Sequence, residues 1–343
     1  MLNRQTARVQ ETRTSQISWR KWASSLSIAV AFVTVFPLTT RAQAPRDYIP
    51  PAIDTVLLQL YFTNANTATA SASDSPLPNN ETINRAGTAS VLWGFSLAGR
   101  YGGIALTGGY IGVNGTGAQG NRKDTGFSDP SITFHANIFG GPALTKEQLA
   151  HAVRRSFMSF HFNVTAPLGS YDRHAPVNTG SNRWVFGGRL LNLSITPDEG
   201  VSWFEAYAGV NIYGNNHKYR GNNQLSQKPQ GNFSTFYSHN VGKRMWAGIG
   251  GTYYDGGETS INRISQRNAS NGFQPSVTFY RARTIWKYGL TVRYVLTGNT
   301  PAGAPTNNLF QIVLSGPLFD TPCSRCGGLD TPSRTPDAAG SGR

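Results

Sequence analysis

The chain has 343 residues and a formal charge of +14, yet Asp, Glu, Lys and Arg make up only 14% of it, against roughly 25% in ordinary soluble proteins. Gly numbers 38, with 7 Trp, 14 Tyr and 18 Phe, while the hydrophobic share is 38%. This profile excludes a bundle of apolar membrane helices and fits strands that alternate polar with apolar residues. The basic residues are dispersed, with no Lys/Arg run of the kind that binds nucleic acid, so no nucleic-acid partner is expected.

In chain order, residues 1–42 read as a signal peptide. Arg20 and Lys21 precede the apolar run 23–38, "ASSLSIAVAFVTVFPL", and small residues follow. At about 16 residues the run is short for a membrane helix. The A-x-A form of Ala42-Gln43-Ala44 would leave Pro45 after the cut, so cleavage after Ala42 is the alternative. Removing 1–42 takes six basic residues and one acid from totals of 31 and 17, which leaves 25 against 16, about +9. Residues 43–52, "QAPRDYIPPA", read as a Pro-rich periplasmic lead.

Residues 53–319 read as a transmembrane antiparallel β-barrel of about twelve strands, an all-β fold. The segments are 53–63, 87–98, 102–113, 129–140, 154–167, 182–196, 201–213, 231–242, 244–254, 269–280, 283–296 and 307–316. Most have the length a tilted strand needs to cross an outer membrane. Long connections (64–86, 114–128, 168–181, 214–230, 255–268 and 297–306) alternate with tight ones at "GRY", "PDEG", Lys243 and Arg281-Ala282. That predicts long extracellular loops and short periplasmic turns. On this parity 141–153, "GPALTKEQLAHAV", is a periplasmic excursion with a short helix, Thr145 its N-cap and Gln148 three residues on.

Period-2 alternation assigns the faces. Met158, Phe160, Phe162 and Val164 oppose Ser159, His161, Asn163 and Thr165. Ile132, Phe134, Ala136 and Ile138 oppose Ser131, Thr133, His135 and Asn137. Phe204, Ala206, Ala208, Val210 and Ile212 oppose Glu205, Tyr207, Gly209 and Asn211. Trp286, Tyr288, Leu290, Val292 and Tyr294 oppose Lys287, Gly289, Thr291 and Arg293. A soluble sandwich would alternate as well. Strand length, the export signal and five strand Trp residues in girdle positions (Trp93, Trp184, Trp203, Trp246, Trp286) favour the membrane. In "RWVFGGRLLNLSI" the apolar parity switches, which predicts a bulge at Gly187–Gly188. The faces of 231–242 and 244–254 stay open.

Residues 320–343 read as a flexible tail rich in Pro, Gly and Ser. It carries Cys323 and Cys326, an incidental pair or a local disulfide, since one CxxC supplies half of a zinc site. The six His residues form no pair at metal-ligand spacing. No cofactor or metal is expected.

Ordered motifs add a resemblance. "RDYIP" at 46–50, "SDPSITFHANIFGGPALTKEQ" at 128–148, "VTAPLGSYD" at 164–172, "NTGSNRWVF" at 178–186, "EAYAGVNIYGNN" at 205–216 and "GTYYDGGETSIN" at 251–262 resemble the phenol meta-pathway degradation family of outer-membrane transporters, the MetA-type barrels. The resemblance implies an exported barrel associated with catabolism of aromatic compounds, in the outer membrane of a Gram-negative bacterium. It carries no catalytic residues. The chain departs at its C-terminus, where the tail follows the last strand instead of a terminal aromatic.

Ser159, His161 and Asn163 invite comparison with outer-membrane phospholipases, but they point away from lipid, where an acyl chain would lie. There is no G-x-S-x-G elbow or H-E-x-x-H either. The expectation is not an enzyme but a channel or transporter for small hydrophobic or aromatic solutes. The alternative is a non-conducting structural or ligand-binding barrel that acts through its external loops. The expected pore lining is His135, His161, Asn163, Glu205, Tyr207, Lys287 and Arg293, in which Tyr207 offers a stacking surface and Lys287 and Arg293 attract anions. Arg183, Asp255 and Glu258 are the candidate mouth contacts. Expected partners are outer-membrane lipid, a small solute and, during insertion, the barrel assembly machinery.

Overall fold

The computed structural model describes residues 44–69, 80–117, 122–175, 178–285, 287–296 and 305–318. The signal sequence and the Cys323–Cys326 tail lie outside the described residues. Twelve strands form the wall: β1 (Val56–Thr69), β2 (Asn80–Leu97), β3 (Arg100–Gly117), β5 (Ser131–Phe139), β6 (Phe157–Thr165), β7 (Val185–Ile195), β8 (Ser202–Tyr213), β11 (Gln230–Gly242), β12 (Met245–Gly256), β15 (Ser270–Ile285), β16 (Tyr288–Val295) and β17 (Pro305–Pro317). Each pairs antiparallel with its neighbour, and β1 closes the ring on β17 from Leu57↔Pro317 to Thr69↔Pro305. Closure removes the sheet edges, so the backbone groups of the wall pair within the ring rather than facing lipid.

The side chains sort as alternation requires. Ile132, Phe162, Leu193, Phe204, Phe233, Ile249, Val277 and Phe310 are exposed on the outside. Ser159, Asn192, Ser194, Tyr207, Ser234, Ser238, Arg293 and Gln311 are buried within. A buried polar interior with an exposed apolar exterior inverts a soluble protein and matches a barrel in lipid. No helix among the described residues is long and apolar enough to cross a membrane.

Several details depart from the sequence reading. β1, β2 and β3 run to 14, 18 and 18 residues, because polar stretches such as "TNANTAT" and "NETINRAG" continue the ladder without the large alternating apolar side chains that mark a strand in sequence. β7 does carry a bulge, but between Arg189 and Leu191, which leaves Leu190 and Leu191 both exposed. β15 continues to Ile285 instead of ending before Arg281-Ala282, and Lys287 lies in a turn just before β16. A register shift between Arg281 and Ile285, with Arg283 at φ 51°, imitates a turn there. Of the expected Trp girdle, Trp93 and Trp184 are exposed, whereas Trp203 is buried against Phe157 at 5.9 Å. β11, undecided from sequence, turns Asn232, Ser234, Phe236 and Ser238 inward.

The tight turns use backbone that L-residues seldom adopt. Ala98 and Gly99, at φ 49° and 78°, reverse β2 into β3, the geometry that two-residue hairpins require. At the same end, α1 (Lys146–His151) begins with a full capping box between Thr145 and Gln148. The opposite end is built up by β4 (Arg122–Phe127), which pairs with the upper half of β3. Above it stands a separate four-stranded sheet of β9 (Asn216–Tyr219), β10 (Asn223–Gln227), β13 (Thr259–Ile261) and β14 (Ile264–Ser265). The stretches expected as plain loops at 214–230 and 255–268 are this sheet.

Candidate functional site: the lumen and its N-terminal segment

Residues 44–54 do not hang below the barrel as a periplasmic lead. They enter from the short-turn end and sit among inward-facing side chains, with Ala44, Pro45 and Ala52 buried. Two tight turns shape the segment: Asp47 N donates to Ala44 O and Ile49 N to Arg46 O, both at 3.4 Å. Asp47 Oδ2 also accepts from Ala44 N at 2.8 Å. Pro50 and Pro51 then turn the chain back toward the mouth. There Arg154 Nη1 donates to Pro50 O at 3.1 Å, Ile53 N to Leu144 O at 2.9 Å, and Lys146 N to Asp54 Oδ1 at 2.8 Å.

Arg46 is the principal anchor. Its backbone N donates to Glu205 Oε2 at 2.8 Å, its Nε to Ser238 Oγ at 2.8 Å, Nη1 to Asn240 Oδ1 at 2.7 Å and Nη2 to Val201 O at 3.1 Å. Its guanidinium also lies 5.0 Å from the Trp246 ring centre. Burial pulls its pKa down to about 10, against the opposing pull of Glu205 and Asp198, so it stays charged at neutral pH. Arg46 takes φ 64°, a left-handed conformation that costs a non-Gly residue about 1–2 kcal/mol. Its contacts hold it there.

Tyr48 lies among the rings of the wall. Its ring lies 4.0 Å from that of His161, 4.7 Å and nearly perpendicular to that of Tyr207, and 6.3 Å and perpendicular to that of His135. His135 and His161 face each other at 3.9 Å across β5 and β6. Tyr101 at 5.2 Å from His135 and Phe236 at 5.7 Å from Tyr207 extend this aromatic basin. Tyr207 donates its hydroxyl proton to Glu205 Oε1, so one carboxylate ties the segment to the basin wall. Asp47 lies 3.7 Å from Arg293 Nη2, whose side chain is 3% exposed.

Of the expected lining residues, His135, His161, Glu205, Tyr207 and Arg293 are buried on the inner face and converge on residues 46–48. Asn163 is inward too, but nearer the loop end, donating to Thr133 Oγ1 at 2.9 Å. Lys287 is not with them: it is exposed in a turn just before β16 because β15 overruns its expected end. At the other mouth, Arg183 is half-buried, donates to Gln227 Oε1 at 2.5 Å and lies 4.9 Å from the Tyr213 ring centre. Burial lowers its pKa. Glu258 pairs with Lys228 at 2.5 Å and accepts from Ser265, contacts that lower its pKa. Asp255 is exposed at the end of β12, on the outward parity, and joins neither.

Sequence reasoning missed Arg46, Asp47 and Tyr48 as lumen residues, and Asp129 at the loop end. "RDYIP" carried a signal: an acid, a base and an aromatic side by side are more than a spacer needs. Asp129 is buried and accepts from Gly169 N at 2.9 Å, Ser181 N at 2.7 Å and Ser181 Oγ at 2.5 Å. Among the described residues no group of three His, Cys, Asp or Glu is placed to hold a metal ion. Ser159 Oγ is 3.3 Å from His161 Nε2, but that imidazole lies under Tyr48 within the barrel.

Closed ring, apolar exterior and polar interior define a β-barrel of the outer-membrane type. The profile of the family described as "Putative MetA-pathway of phenol degradation" matches residues 66–309, and the chain belongs to that family. Among solved structures, the COG4313 outer membrane channel from Pseudomonas putida F1 superposes with a TM-score of 0.65 at 16% identity, covering 80% of this chain and 99% of that one. The transport unit of the autotransporter AIDA-I from Escherichia coli reaches 0.44 at 10% identity, covering 86% and 96%. No curated protein matches the sequence.

Proposed function

We propose that the protein is an outer-membrane channel for small aromatic or hydrophobic compounds, with residues 44–54 acting as a displaceable stopper. One observation carries the reading. The lumen of a closed twelve-stranded barrel is occupied by a segment of its own chain that joins no strand ladder and is held by hydrogen bonds to side chains, ring contacts, one ion pair and a single backbone bond from Ile53 N to Leu144 O. Such contacts release without unpairing the wall. The basin of His135, His161, Tyr101, Tyr207 and Phe236 suits aromatic rings, which prefer offset or edge-to-face neighbours. The family's association with phenol degradation points the same way. Export by the N-terminal signal and insertion by the barrel assembly machinery belong to this proposal.

The test is solute flux into liposomes containing the refolded mature protein. Phenol and benzoate should enter faster than a sugar of similar mass. Equal rates for all three would reject aromatic selectivity, and protein-free rates for all three would reject transport. One observation favours the non-conducting alternative: the β9–β10–β13–β14 sheet is a built surface at the outer end. Binding to that sheet without flux would support it.

A further inference from the structure

The inserted segment sets a carboxylate and a phenol side by side. Asp47 presents its carboxylate to Arg293 at 3.7 Å, and the next residue, Tyr48, presents a phenol ring to His161, Tyr207 and His135. Both recipients belong to the fixed wall: Arg293 stands on β16 between Thr278 and Gln311, and His161 and Tyr207 stand on β6 and β8. The wall thus offers one buried guanidinium and one aromatic basin, and the chain's own dipeptide fills both. A buried guanidinium prefers a carboxylate partner, since removing that partner leaves a costly unpaired charge. The basin gains by edge-to-face contact with any ring. These demands concern chemical groups and are indifferent to whether the groups are tethered.

We infer that Asp47–Tyr48 occupies the binding seat of the transported solute, and that this solute is a phenolic or aromatic acid whose carboxylate pairs with Arg293 while its ring enters the His135–His161–Tyr207 basin. The inference rests on the channel reading above and specifies its substrate class. Solute and segment then compete for one place. Binding of the acid displaces residues 46–48, and departure of the acid lets them return. Glu205 couples the two events, because it accepts from both Arg46 N and the Tyr207 hydroxyl.

The test is equilibrium dialysis of 4-hydroxybenzoate against the folded mature protein in detergent, with phenol and cyclohexanecarboxylate as controls. Folding is checked by the barrel's heat-modifiable gel mobility. A tethered competitor acts at an effective concentration in the millimolar range, so Tyr48→Ser should tighten 4-hydroxybenzoate binding about tenfold or more. Adding Arg293→Gln should abolish that binding, and Arg293→Lys should retain part of it. Equal affinities for wild type and Tyr48→Ser, or binding indifferent to Arg293→Gln, would overturn the inference. So would cyclohexanecarboxylate binding as well as the aromatic acid, since that describes a plain anion site. Ion conductance separates the two readings. A Tyr48→Ser protein that conducts but binds no acid keeps the channel and refutes the seat. One that binds the acid while no variant conducts keeps the seat and refutes the channel.

Discussion

The two ends of the barrel are closed off in different ways. At the outer end the loops bond mainly to one another: β9, β10, β13 and β14 share a backbone ladder, and Asp129 gathers Gly169 and Ser181 through three hydrogen bonds. At the inner end a single segment, 44–54, bonds mostly to the wall, through Glu205, Ser238, Asn240 and the ring of His161. A network closed on itself makes a rigid collar, because no member leaves without breaking ladder bonds. A segment held by side chains exchanges more readily, because its release leaves the twelve strand pairings intact. Motion is therefore expected at the inner end.

Perturbing each end tests the contrast. The largest effect is expected at Asp129. Hydrogen bonds to a charged group contribute about 1.5–3 kcal/mol each, and Asp129→Ala removes three. The collar should lose about 4 kcal/mol or more of local stability, read as rapid proteolysis around 169–181 with the barrel intact. Next is the wall itself: Phe160→Lys places a cation on the lipid face and should cost about 2–4 kcal/mol of barrel stability, measured by urea-gradient unfolding in vesicles. Arg46→Ala removes three of that residue's four hydrogen bonds to the wall and keeps the one from its backbone N. It should raise conductance with little change in unfolding, which sets the inner end apart from the outer. Thr145→Ala, which loses the N-cap of α1, should cost about 1 kcal/mol, detectable as faster hydrogen exchange at 146–151. The smallest effect is expected at the exposed pair Lys228–Glu258. Glu258→Gln should shift stability by less than about 1 kcal/mol.

The wall was legible in the sequence because lipid and lumen impose opposite demands on alternate residues. Phe160 and His161 could be assigned to their faces from neighbours alone, and Thr145 with Gln148 announced its helix. What was not legible has a common physical cause: the missing features lie where no two-sided solvent imposes a period. The upper halves of β1 to β3 bury mostly small residues such as Ala65 and Ala86 between polar ones, and the sheet of β9, β10, β13 and β14 is short-stranded, with Leu225, Ile261 and Ile264 spaced too irregularly to announce it. The bulge in β7 is announced by its parity switch, but Gly187 and Gly188 drew it two residues too early. The stopper was hidden for a different reason. Nothing in "APRDYIPPA" is periodic, and only the wall residues it meets reveal its place. Five of the seven expected lining residues converge on it. Lys287 fails because a bulge at Arg281–Ile285 carries the strand past its expected end.

Single-channel conductance in planar bilayers, comparing the intact mature protein with one lacking residues 44–50, tests the central claim most directly. If this segment stoppers the lumen, the intact protein shows small or rare openings and the shortened one shows frequent, larger discrete steps. Identical conductance in the two proteins, with both barrels folded, would contradict it.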